Sequence, residues 1–108
     1  MKKLYYITNR VTSEGYSFEK RRGLVFEVGG LWFGCARSFK GRISTITELS
    51  TGLTVADAKK RDAIETVTRL LPAIKNELKK EALRKVAEAL REHAAKQAKA
   101  EFRENVTI

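Results

Sequence analysis

The feature that most constrains this chain is a pair of glycines, Gly29-Gly30, set between two runs of strand-forming residues. The first run is Gly23-Leu24-Val25-Phe26-Glu27-Val28 and the second is Leu31-Trp32-Phe33-Gly34-Cys35-Ala36. Two adjacent glycines can both take positive φ, as a two-residue primed hairpin turn demands. Such a turn fixes the register, with Val28 opposite Leu31, Phe26 opposite Phe33 and Leu24 opposite Cys35. Side chains alternate across a strand, so these apolar residues share one face, which is predicted to be buried. Val25, Glu27, Trp32 and Gly34 share the other face.

Weaker strand signals flank the hairpin. Residues 3–8 read as a strand, and residues 16–19 as a second strand or the start of a long one entering the hairpin. Residues 43–49 read as another, although Ile43 and Leu49 share one parity and Ile46 has the other. Ser50-Thr51-Gly52 marks a turn. Beyond it the pattern becomes helical. Thr54 and Asp57 resemble a capping box, and either could cap a helix. Ala63, Ile64, Val67, Leu70, Leu71 and Ile74 follow at helical spacing and predict an apolar stripe packed on the sheet. Pro72 either kinks that helix or opens a second one at its first turn. Residues 73–104 are rich in strong helix formers. Glu77 with Glu81 is a like-charge pair. Glu81 with Lys85, Arg84 with Glu88, and Glu92 with Lys96 have the spacing of opposite-charge helix pairs.

Along this second helix Ile74, Leu78, Ala82, Val86, Leu90, Ala94, Ala98 and Phe102 recur every fourth residue. A ridge of that spacing drifts by about 40° per step on a straight helix, so one flat sheet cannot bury all of it. The later residues either fray as an alanine-rich tail or meet a second copy of the chain or another partner. The resulting expectation is a single α+β domain. An antiparallel sheet of three to five strands is followed by C-terminal helices, one packed on the sheet and one long. Residues 1–53 form the strand-rich half and residues 54–104 the helical half. The length of 108 residues suits one modest core.

Catalytic patterns do not assemble. His93 is the only histidine, so a metal site or a His-based acid–base pair lacks its other members. Cys35 is the only cysteine; it falls on the apolar hairpin face, and one thiol excludes an intrachain disulfide. Gly29-Gly30 lacks the Walker spacing. Glu27 lies opposite Trp32 as a cross-strand surface contact. The expectation is therefore no enzyme, no catalytic residue, no metal and no cofactor. No run approaches the length of a membrane span, and the apolar run after Lys2-Lys3 is too short for a signal peptide. A cytoplasmic location is expected.

Charge gives the functional pointer. The chain carries 22 Lys plus Arg against 13 Asp plus Glu, a net charge of +9. Such a balance favours polyanions, nucleic acid above all. Extending the hairpin register places Arg22 opposite Arg37, with Lys20 and Arg21 beside Ser38 and Phe39, and Lys40 and Arg42 close behind. Like charges directly opposed are destabilising, a cost relieved when an anion sits there. Arginine forks match phosphate oxygens, and Tyr16, Phe18 and Phe39 are available to stack on exposed bases. Lys20, Arg21, Arg22, Arg37, Lys40, Arg42 and Trp32 are thus the candidate binding residues. Lys59-Lys60-Arg61 forms a second basic cluster at the start of the first helix and is a further phosphate candidate. Trp32 is expected to lie beneath the C-terminal helix, or otherwise to face a partner.

The stretch Ile46-Thr47-Glu48-Leu49-Ser50-Thr51-Gly52-Leu53, followed by Ala63-Ile64, resembles a strand–turn–helix segment in small uncharacterised proteins of bacterial phages and mobile elements. It covers about a fifth of the chain. The resemblance implies a phage setting, in which a short basic protein binds nucleic acid or blocks a host defence enzyme. The order of basic strands before a helix is also similar to double-stranded-RNA binding domains, although the leading helix of that family is absent. Three readings follow. The first is a nucleic-acid binding module. The second is a phage-encoded protein–protein inhibitor or adaptor acting on a nucleic-acid-handling enzyme. The third is a homodimer joined by the later helix.

Overall fold

The computed structural model describes residues 2–37, 41 and 43–106, with side chains as far as residue 100. Its strands are β1 (Lys2–Thr12), β2 (Gly15–Val28), β3 (Leu31–Arg37), β4 (Ser44–Glu48) and β5 (Thr54–Ala58). They form one antiparallel sheet in the order β1-β2-β3-β4-β5. A 3-10 turn (Lys60–Asp62) leads into α1 (Ala63–Leu78), and α2 (Glu81–Val106) follows. The fold is α+β, five strands and then two helices.

The Gly29-Gly30 turn does what its chemistry requires. Both residues have positive φ, 59° and 85°. The β2–β3 pairing is Val28 with Leu31, Phe26 with Phe33 and Leu24 with Cys35, the expected register. Phe26, Phe33 and Cys35 are buried with Ile46 of β4 and with Ala63, Val67 and Ile74 of α1. Ile46 thereby decides the core face of β4, while Ile43 is exposed. Of the α1 stripe only Ile64 faces solvent.

Several expectations need correction. Thr54 and Asp57 do not cap a helix: both lie in β5, which pairs with β4. The strand-rich part therefore runs to residue 58, and a strand stands between the Ser50–Gly52 turn and the first helix. Asp62 takes the N-cap position of α1, without a side-chain capping bond. Pro72 lies inside α1 and opens no helix; the break comes at Lys79 and Lys80. That break resets the phase of the drifting ridge. Ile74 is buried on α1, and Val86 and Leu90 are buried on α2, which contacts β1 and β2. Ala94 and Ala98 remain exposed. The three opposite-charge pairs expected along α2 do not close. Among the described residues the one ion pair is Lys80 with Glu77, at 2.7 Å.

The sheet is sharply curled. β1 and β2 pair from Lys2 with Val25 to Thr12 with Gly15, forming an arm that extends past the end of β3. The arm folds back over the face opposite α1. There Tyr6 packs with Val25, Ala36 and Leu49 as a second small core. At the arm's far side the Asn9 N–H donates to the Gly52 carbonyl at 2.7 Å, and the Asn9 amide donates to the Thr51 carbonyl at 3.2 Å. Glycine makes the curl possible at two places. A Cβ on Gly23 would meet the Cys35 carbonyl, and one on Gly34 would lie 2.5 Å from Cζ of Tyr6.

Candidate nucleic-acid interface

Strand alternation places Lys3 and Tyr5 of β1 on the same face as Arg22 and Leu24 of β2, through the pairs Lys3 with Leu24 and Tyr5 with Arg22. The β2–β3 ladder ends at Leu24 with Cys35, and Arg22 and Arg37 lie just beyond it, one alternation along each strand. This is the outer side of the bend. Lys60 reaches the same place from the 3-10 turn, which contacts β3. The four cations Lys3, Arg22, Arg37 and Lys60 line one cleft of about 350 Å³, floored in part by Cys35, Ala36 and Ser44. Among the described residues no carboxylate lines this cleft, and none of its four cations forms an ion pair. Like charges gathered without a counter-charge repel one another, and a concave site lined by one sign of charge concentrates the field on whatever enters.

An aromatic ring stands beside the cleft. Tyr5 is 64% exposed. The Lys20 ammonium lies 4.9 Å from its ring centroid and the Arg22 guanidinium carbon 5.6 Å. Arg22 thus belongs to both the cleft and the aromatic group. Such contacts orient the two cationic side chains along the ring rather than leaving them free in water.

The other expected site residues separate. Arg21 projects from the opposite face of β2, where its Nη2 donates to the Arg37 carbonyl at 3.0 Å and braces the backbone behind the cleft. Lys40, Arg42, Ser38 and Phe39 lie outside the described residues. Trp32 is on the opposite face, paired with Glu27 near the Gly-Gly turn, away from the open end that holds Arg22 and Arg37. It is 52% exposed, so the expected cover of a helix is absent. The helix α1 packs on the other face, against Phe26 and Phe33, and leaves Trp32 uncovered. Phe18 is engaged elsewhere, stacked on His93 of α2 at 4.2 Å and 11° between planes.

No match to this chain is found among protein-family models, curated proteins or solved structures. The site therefore stands on its own geometry.

Among the described residues no group of three or more His, Cys, Asp or Glu side chains could hold a metal ion, and no helix is long and apolar enough to cross a membrane. Cys35 is buried. The buried acid is Glu48, not Glu27. Its carboxylate accepts the Ser50 and Thr51 backbone N–H groups at 2.9 and 3.1 Å and both their hydroxyls. Glu48 holds the β4–β5 turn that receives the arm.

Sequence reasoning singled out Arg22 and Arg37 and named Lys60 within a second basic cluster, but did not single out Lys3 or Tyr5, which the structure sets beside them. A signal for these two existed. Ser13-Glu14 between Thr12 and Gly15 is a second tight turn, and its register puts Tyr5 opposite Arg22. The convergence of Lys60 with the sheet cations was not legible, because it depends on the 3-10 turn packing against β3.

Proposed function

We propose that this protein is a non-enzymatic module that binds nucleic acid through the cationic outer side of its bent sheet. The observation that carries this reading is the cleft itself: Lys3, Arg22, Arg37 and Lys60 converge with no carboxylate partner among the described residues. Phosphate oxygens satisfy such a site, and arginine forks hold them with directional bonds.

Four phosphate contacts set the expected salt response. For a single strand the logarithmic slope is about −2.8, so affinity falls roughly fifty-fold between about 50 and 200 mM salt. A double Arg22→Glu, Arg37→Glu variant should lose most of this binding while keeping its thermal unfolding transition. Titration of a labelled mixed-sequence oligonucleotide at two salt concentrations measures both effects. Unchanged affinity in the double variant would remove the reading.

A second reading rests on Trp32. Its half-exposed ring lies on the face away from the cleft, with Leu4 also 47% exposed on that face. It supports a protein–protein inhibitor or adaptor acting on a nucleic-acid-handling enzyme, in the phage setting implied by the sequence resemblance. Capture of one protein partner that survives nuclease treatment and is lost with Trp32→Ala would favour it.

A further inference from the structure

The exposed ring of Tyr5 adds a preference that the cations alone do not supply. We infer that the site takes an unpaired strand, with a base stacked on Tyr5 and a neighbouring phosphate in the cleft. The inference rests on the nucleic-acid reading above and narrows it to one substrate class.

Three observations converge. Tyr5 is 64% exposed, so one large aromatic surface is offered to a partner rather than to the core. Lys20 and Arg22 sit against that ring, at 4.9 and 5.6 Å from its centroid, so positive charge and π-surface are presented together. Arg22 also lines the cleft with Lys3, Arg37 and Lys60, so the ring and the phosphate pocket are adjoining parts of one surface. This is the combination by which single-strand binders work: cations track the backbone and aromatic faces receive successive bases. A duplex gains little from it. Its bases are stacked on one another, and only their edges reach the grooves, so an aromatic ring finds no free π-face. Phosphate attraction would hold either form, whereas the ring rewards only the unpaired one.

The test uses the full chain with a labelled mixed-sequence strand and the duplex of the same sequence, at low salt. Tyr5→Leu keeps the apolar bulk and removes the ring. The expected result is that the wild type favours the strand. Tyr5→Leu should weaken strand binding roughly five- to hundredfold and duplex binding far less, with the same salt slope for both, since every cation is kept. Trp32→Leu, on the opposite face, should bind both probes as the wild type does. A measurement on the unaltered chain stands beside the variants: photocrosslinking of a strand carrying 5-iodouracil, with the site read by mass spectrometry. A crosslink at Tyr5 supports the inference; crosslinks found only elsewhere overturn it. Equal loss on strand and duplex, or none on either, also overturns it. If Arg22→Glu, Arg37→Glu abolishes binding while Tyr5→Leu does not, the stacking inference fails and the cationic reading stands. If the wild type binds neither probe at low salt, both fail together.

Discussion

Tyr6 lies inside the curl, its ring against the space that a Gly34 side chain would fill. It is 7% exposed. Burial raises its phenol pKa above the usual 10.0, partly offset by the positive charge of Arg21. The neutral phenol is therefore favoured in the folded chain. Its contribution to stability is complete below the unfolded pKa and is lost as pH rises through the folded one, because the unfolded phenol ionises first. Tyr6→Phe should leave the urea midpoint nearly unchanged near neutral pH and flatten its decline above about pH 10. An identical alkaline decline in the variant would exclude Tyr6 as the titrating group. Single residues are also where the sequence was hardest to interpret. Tyr5 and Tyr6 are adjacent in the chain, yet one is an exposed platform and the other a core residue. Strand parity separates them, but which parity is buried depends on the arm folding back. Trp32 misled for the same reason: its size argued for burial, and its face holds no helix.

The β2–β3 hairpin was legible in full because turn chemistry and apolar parity both specify the same register. β5 was not. Thr54-Val55-Ala56-Asp57-Ala58 carries no strong strand signal, and it becomes a strand by pairing with β4. The break between α1 and α2 was misplaced because Pro72 is the obvious breaker in sequence, whereas the chain turns at two lysines. The β4–β5 turn offers a sharper test at this scale. Four donors from Ser50 and Thr51 converge on Glu48, which is 1% exposed. Glu48→Ala strands the buried Thr51 donors, while those of Ser50 lie nearer solvent, and should cost on the order of 3 kcal/mol in urea unfolding. A cost below about 0.5 kcal/mol would mean that the turn holds without its carboxylate. The Lys80–Glu77 contact, more than half exposed on both sides, calls for no comparable effect.

Across the whole molecule the two small cores sit on opposite faces of one curled sheet, and the cationic cleft lies on the outside of the bend between them. Half of its cations, Lys3 and Arg22, belong to the arm side; Arg37 and Lys60 belong to the other. Anion binding and folding should therefore be linked. A strand at about a hundred times its Kd should add about 2.7 kcal/mol to stability, seen as a raised Tm, and high salt should erase the gain. An unshifted Tm under saturating strand would separate binding from the fold. The glycines at positions 23 and 34 give this linkage its mechanical sense. They let the chain hook over itself, and hooking crowds positive charge along the hook's outer rim. On the proposed reading, a polyanion laid across that rim would clasp both limbs at once and so fasten the shape that receives it.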